Sequence, residues 1–215
     1  MVGWSSDQRG QGVFEFALVV PIFLLIIVGM LEFGFAFNHN MTLEFATREG
    51  ARGGAAMADG SVKDLQCPGA TLGWQHVDPL VMAAVQRVLT SPGSMVDMTQ
   101  ISQVRIYEVG NDGTVTGLGN VWQYRPGNPA NPAVPCQSPR QLLEFFPVSE
   151  GWRADSRTLT CGTPPVWCPD SIGVSIAYTY QFRTPLGGLM RLIGGGGATS
   201  VQITDRTVMA LQPTS

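Results

Sequence analysis

A chain of 215 residues is long enough for one domain and a membrane anchor. Charged residues make up 13% of it, which is about half the share usual in soluble proteins, and the formal net charge is −3. Because Lys and Arg form no cluster, the composition argues against nucleic acid as a partner.

The longest apolar run covers residues 16–37 and contains one charge, Glu32. At 1.5 Å per residue, a helix of this length measures roughly 33 Å, enough to cross a bilayer core. A cleaved secretory signal would have a shorter apolar core followed closely by a small-x-small site. The nearest such triplet, residues 56–58, lies too far downstream. The run therefore predicts a membrane-spanning helix that stays with the protein.

Two carboxylates flank or enter this run. Glu15 lies just before it and Glu32 lies near its end. Each has a simple interpretation as a carboxylate in water or at the membrane interface. Acids at the ends of a spanning helix are nevertheless costly, which suggests a use with a partner charge.

The helical pattern continues beyond the membrane, over residues 38–58. Glu44 and Arg48 stand four residues apart, as ion pairs on a helix surface do. Met41, Phe45 and Ala46 are expected to form a narrow apolar stripe. The chain is thus predicted to begin with one long helix.

Downstream, the pattern predicts one more helix and three strands. Asp78 and Pro79 suit the N-cap and first position of a short amphipathic helix that ends before Ser91. The sequence predicts strands over 101–109, 173–184 and 200–211, with the clearest alternation of apolar residues in 173–184 and a blurred period in 200–211. Residues 110–170, rich in Gly and Pro, are interpreted as loops, where recognition often resides. The predicted class is α+β, with a long N-terminal transmembrane helix and a small, mostly antiparallel sheet.

All four cysteines, Cys67, Cys136, Cys161 and Cys168, follow the apolar run. An even number on one side of a membrane indicates disulfides in an oxidising compartment, with four unrelated buried thiols as the alternative. Metal-ligand spacing is absent, so no zinc site is expected. Four cysteines allow three pairings. The short separation of Cys161 and Cys168 favours a bond between them, leaving Cys67 to pair with Cys136.

The beginning of the chain resembles the TadE-like family, minor pseudopilins of tight-adherence (Tad, or Flp) pilus systems. The resemblance rests on RGQGVFEFALVVP at residues 9–21, EFG at 32–34 and ATREGAR at 46–52. It is specific in combination, covers roughly residues 9–53 strongly, and continues loosely in residues 178–185 and 206–213. The pilin architecture it implies agrees with the predicted long helix and small domain.

The resemblance implies a prepilin-type leader, removed on the cytoplasmic side by a prepilin peptidase. Such leaders end in Gly, and Glu is the fifth residue of the mature chain. Cleavage between Gly10 and Gln11 places Glu15 fifth, whereas cleavage after Gly12 would place it third. The expected parts are a leader at residues 1–10, a long helix at 11–58 that spans the membrane at about 16–37, and an extracytoplasmic domain at 59–215. Glu15 and Phe16 are the expected assembly residues.

The expected function is that of a minor pilin that initiates or caps a Tad pilus. Expected partners are membrane lipid, other Tad pilins and pilus assembly proteins. The expected location is the bacterial cytoplasmic membrane, crossed once with the N-terminus in the cytoplasm, and incorporation into the pilus stays open. The alternative is an anchored surface adhesin or sensor that is never polymerised. No catalytic motif, phosphate loop or metal-spaced carboxylate cluster appears, so neither an enzyme nor a cofactor is expected.

Overall fold

A computed structural model describes residues 9–56, 65–67, 70–72, 74–110, 112–154, 157, 160–161, 166–167, 171–184, 188 and 200–211. The chain divides into two compact units. One consists of Met1–Phe37 and Gln181–Val201, and the other of Asn38–Tyr180 and Gln202–Ser215.

The first element is a helix of 48 residues, α1 (Arg9–Ala56), with Pro21 inside it. It confirms the long helix expected from the sequence, and the last two residues of the expected range, 57 and 58, lie outside the described residues. Glu44 and Arg48 form the ion pair that their spacing predicts. By length and composition, this helix is able to cross a membrane, and it is the one such helix among the described residues.

In the part of the chain that the structure describes, a second helix and nine strands follow. Helix α2 (Val77–Leu89) comes after a 3₁₀ turn at Trp74–His76, and a second 3₁₀ turn at Met98–Gln100 leads into β3. The strands are β1 (Leu65–Cys67), β2 (Ala70–Leu72), β3 (Ile101–Val109), β4 (Val115–Tyr124), β5 (Phe145–Glu150), β6 (Thr160–Cys161), β7 (Val166–Trp167), β8 (Ser171–Gln181) and β9 (Ser200–Ala210).

Five strands form one sheet in the order β5-β4-β3-β8-β9, and this antiparallel sheet confirms the predicted fold class. Val104 of β3 lies between Trp122 of β4 and Ile176 of β8, which fixes the register across the centre of the sheet. Two further pairs, β1 with β2 and β6 with β7, form separate antiparallel hairpins. The sequence interpretation of residues 110–170 as loops was wrong for β4 to β7.

In the second unit, the end of α1, helix α2 and one face of the sheet enclose the core. The end of α1 is rich in small residues, which allow close contact with α2 and β8. A Cβ atom added at Gly50 would lie 2.6 Å from Val85 Cγ2 and 3.5 Å from Val174 Cγ1. The buried apolar residues of this region of α1 are Leu43, Ala46, Ala51 and Ala55. Phe45, which was expected to belong to the apolar stripe, is instead 54% exposed.

Asp78 occupies a different position from the predicted N-cap. The N-cap of α2 is His76, with no side-chain capping bond, and Asp78 lies inside the first turn. Its carboxylate instead contacts Arg157 at 2.6 Å and accepts a hydrogen bond from the amide of Asn120. The carboxylate of Asp78 therefore binds a buried cation from a distant part of the chain and does not cap the helix, because hydrogen bonds between charged groups are the stronger ones.

Candidate assembly helix

The residues of the expected leader cleavage and assembly site lie in the first two turns of α1. Gly10 and Gln11 belong to the helix, and Glu15 follows Gln11 by four residues, which is about one helical turn. Glu15 and Phe16 both have exposed side chains, and Phe16 is 70% exposed. The helix therefore brings position 11 and the carboxylate of Glu15 to neighbouring places on one face.

Glu32 interrupts the exposed apolar surface of this helix with a buried carboxylate. Its side chain is 5% exposed. The backbone N–H of Arg183 donates to Glu32 Oε1 at 3.0 Å, and the N–H of Thr184 donates to Oε2 at 2.9 Å. Both oxygens are thus bound to backbone just after β8, which the sequence interpretation of Glu32 as an interfacial carboxylate did not anticipate.

Another polar contact joins α1 to β9 within the second unit. The hydroxyl of buried Thr47 donates to the carboxylate of Asp205 and lies 3.0 Å from the hydroxyl of Thr207. Because Thr47 is fully buried, this contact supplies partners for polar groups that would otherwise be costly to bury.

His39 lies next to two aromatic residues of β8. Its imidazole is fully buried, 5.6 Å from the ring of Tyr178 and 5.1 Å from the ring of Tyr180. Both tyrosines are buried, so these two aromatic residues of β8 belong to the core. These neighbours lie about 140 residues from His39 in the sequence, so no local pattern predicts the contact.

A polar network underlies a small cleft in the second unit. Arg157 contacts Asp78 and stacks on the ring of Trp152, with its guanidinium carbon 4.3 Å from the ring centre. Asn120 donates to the carbonyl of Trp152 at 2.7 Å and accepts from its N–H at 2.8 Å. The cleft has a volume of about 180 Å³ and is lined by Gln75, Asp78, Pro79, Asn120, Trp122, Pro132, Pro147, Glu150, Arg153 and Ala154.

Of the four cysteines, Cys136 is the one whose side chain the structure describes. It is disulfide-bonded, and its backbone has a φ of 62°. The side chains of Cys67, Cys161 and Cys168 lie outside the described residues, so the predicted pairing stays a prediction. Among the described residues, no group of three His, Cys, Asp or Glu side chains is placed to hold a metal ion.

Comparison with known proteins finds a match for the N-terminal helix α1. Residues 10–52 match the family model of TadE-like proteins. The match lies wholly within α1 and confirms the family resemblance of the opening motifs. No curated protein and no solved structure matches the chain. The TadE-like segment points to a protein associated with Tad pili, and the apolar part of the same helix to membrane anchoring.

Proposed function

We propose that this chain is a minor pilin, or pseudopilin, of a Tad (Flp) pilus and acts in the initiation or capping of the filament. The observation that carries the proposal is the coincidence of the TadE-like match, residues 10–52, with a single unbroken helix. A pilin needs one helix that stays in the membrane before assembly and packs against the helices of neighbouring subunits afterwards. An apolar helix whose first residues carry the family motif suits both requirements.

In this proposal the helix spans the cytoplasmic membrane once, over about residues 16–37, with the leader in the cytoplasm and the sheet outside. Support comes from the exposed apolar side chains along this part of α1, which a bilayer would cover. A prepilin peptidase removes residues 1–10, so that the mature chain begins at Gln11. The cysteines then lie in the oxidising compartment that disulfides require.

Glu15 is proposed to be the assembly carboxylate. After cleavage, the new amine of Gln11 is a positive charge four residues before Glu15 on the same helix. Among the helices of other Tad pilins and assembly proteins, the carboxylate pairs with its own amine or with that of a neighbour. An ion pair withdrawn from water strengthens as the local dielectric falls. Subunits whose helices are aligned so that this ion pair forms are then more stable than subunits aligned in any other register.

Genetic replacement tests this proposal. A strain lacking the gene is complemented with the wild-type chain, and pili are counted by electron microscopy. Affinity purification of the tagged full-length chain from membranes is expected to recover pilus assembly proteins. Normal piliation in the deletion strain, without any such co-purification, would contradict the proposal.

A second candidate function is an anchored surface adhesin or sensor that is never polymerised. The cleft favours it, because Asn120, Trp122, Glu150 and Arg153 bring polar, charged and aromatic groups together there. Substitutions in the cleft and in the helix distinguish the two functions. An adhesin loses attachment when Glu150 and Arg153 become Ala but tolerates Glu15→Gln. A minor pilin shows the opposite pattern.

A further inference from the structure

The contact made by Glu32 has a consequence for the backbone that follows β8. Glu32 lies five residues before Phe37, at the far end of the apolar run, which corresponds to about 7.5 Å along the helix axis. Its two bonds, 3.0 Å to the N–H of Arg183 and 2.9 Å to that of Thr184, hold those residues beside this apolar stretch. Residues 181–201 also belong to the same compact unit as residues 1–37.

Non-helical backbone at membrane depth requires partners for its N–H groups, because hydrocarbon offers none. Each unsatisfied group costs several kcal/mol in that environment. Strand β8 ends at Gln181, so Arg183 and Thr184 lie outside its ladder. Glu32 supplies one carboxylate oxygen to each N–H, which makes it an intramolecular substitute for water at this level.

The side chains of residues 182 and 183 are of the types found at the membrane–water interface. Phe182 is half-buried and Arg183 is exposed. Aromatic rings and arginines are enriched at the level of lipid headgroups, where the ring body is buried and the cation reaches water or phosphate.

We propose that residues 182–184 form a second membrane contact, at the outer bilayer interface, and that Glu32 holds them there. The partner is the lipid headgroup region, with Arg183 directed to anionic headgroups. This proposal rests on the membrane span of the proposed function. It assigns Glu32 a role different from that of Glu15, since Glu32 binds its own chain and Glu15 is proposed to serve assembly.

The test uses the full-length protein in vesicles of phosphatidylcholine with added phosphatidylglycerol. A nitroxide is attached, without reducing agent, to a cysteine introduced at position 183, because the bond to Glu32 uses the backbone N–H and survives the substitution. Gln103→Cys, on the exposed side of β3, is the aqueous control, and Phe33→Cys is the membrane control. The collision rate of the nitroxide with oxygen is divided by its collision rate with a water-soluble nickel chelate. This oxygen-to-nickel ratio rises with depth in the bilayer, because oxygen concentrates in hydrocarbon and the chelate stays in water.

We expect the oxygen-to-nickel ratio at position 183 to be severalfold higher than at position 103 and to approach the value at position 33. A ratio at 183 equal to that at 103, with position 33 still reading as hydrocarbon, overturns the interfacial contact but leaves the membrane span intact. If position 33 also reads as water, the membrane span itself is wrong and both proposals fall.

The role of Glu32 is tested in the same assay with Glu32→Gln and Glu32→Ala. A glutamine amide has one acceptor oxygen and turns an N–H donor towards the second backbone N–H, so at least one bond is lost. We expect the ratio at position 183 to fall severalfold while the ratio at position 33 is unchanged. Glu44→Gln, at an exposed ion pair, is the matched control and should change neither ratio. An unchanged ratio at 183 in both Glu32 variants, with the fold verified by circular dichroism, overturns the role of Glu32.

Discussion

Arg157 and Asp78 form a buried ion pair across 79 residues of chain, with 2.6 Å between Nη2 and Oδ1 and side chains 1% and 14% exposed. The exposed pair of Arg48 and Glu44 is its natural counterpart, with side chains 57% and 34% exposed. The two pairs should differ sharply in their contribution to stability, because removing one partner of a buried pair leaves an uncompensated charge.

Asp78→Ala is therefore expected to lower the free energy of unfolding by about 3–5 kcal/mol. Glu44→Ala should lower it by about 0–1 kcal/mol, as exposed pairs do. Urea unfolding of the full-length protein in detergent, followed by tryptophan fluorescence, measures both values. Similar losses in the two variants would show that the network around Arg157 contributes no more than a surface pair.

Gly50 is expected to tolerate no larger side chain. Gly50→Val places a Cβ 2.6 Å from Val85 Cγ2 in a packed region, and overpacking of this kind costs about 1–3 kcal/mol. Gly34→Val is the matched control, since a Cβ at Gly34 meets nothing within 4 Å. Thermal unfolding in detergent should show a lower midpoint for Gly50→Val alone.

A compensating substitution sharpens that test. Adding Val85→Ala to Gly50→Val removes the atom that the new side chain strikes, so part of the lost stability should return. If the double variant is less stable than the wild type by the sum of the two single effects, the two residues are independent and the close contact is not the cause.

The sequence predicted the elements whose apolar pattern is regular and local. Strand β3 has its predicted bounds and β9 differs from its prediction by one residue, whereas β8, predicted from the clearest alternation, begins two residues and ends three residues earlier than predicted. Strand β5 was missed because Pro147 lies inside it, and proline is tolerated there since β5 is an edge strand. Strand β4 was missed because its first four residues are exposed and its first half contains two glycines.

The contacts of the candidate site were harder to predict because their partners are distant in the chain. The motif around Glu15 is continuous, so its family and helical spacing were visible in the sequence. Glu32 and its backbone partners are separated by 151 and 152 residues. No local pattern marks the backbone N–H groups of Arg183 and Thr184 as donors. The signal available in the sequence was a carboxylate within an apolar run, and this signal did not identify the partner of Glu32.

Tyr107 should make stability fall at alkaline pH. Burial raises the pKa of its phenol above the ordinary 10.0, with nearby Arg206 and Arg105 opposing the shift. Above pH 10 the unfolded chain loses this proton before the folded protein does, so the free energy of unfolding decreases as pH rises towards the folded-state pKa. Tyr107→Phe should reduce that decrease. Urea unfolding between pH 9 and pH 11 measures it, and identical slopes in both proteins would contradict the prediction.

Glu15→Gln is expected to leave the chain inserted and cleaved but poor at entering the pilus complex. The neutral amide cannot pair with the proposed amine of Gln11, so the preference for correct register is lost. Glu44→Gln is the control for a carboxylate on the same helix. Pilus counts and co-purification with assembly proteins should fall for Glu15→Gln alone. Full piliation with Glu15→Gln would reduce Glu15 to a solvated carboxylate.

Leader removal is the central claim, and the mass of the N-terminal peptide from the membrane-bound protein tests it most directly. We predict that the functional chain begins at Gln11, and that Gly10→Leu retains residues 1–10 and abolishes pilus assembly. An intact Met1 or Val2 terminus on protein that supports normal piliation would contradict the account.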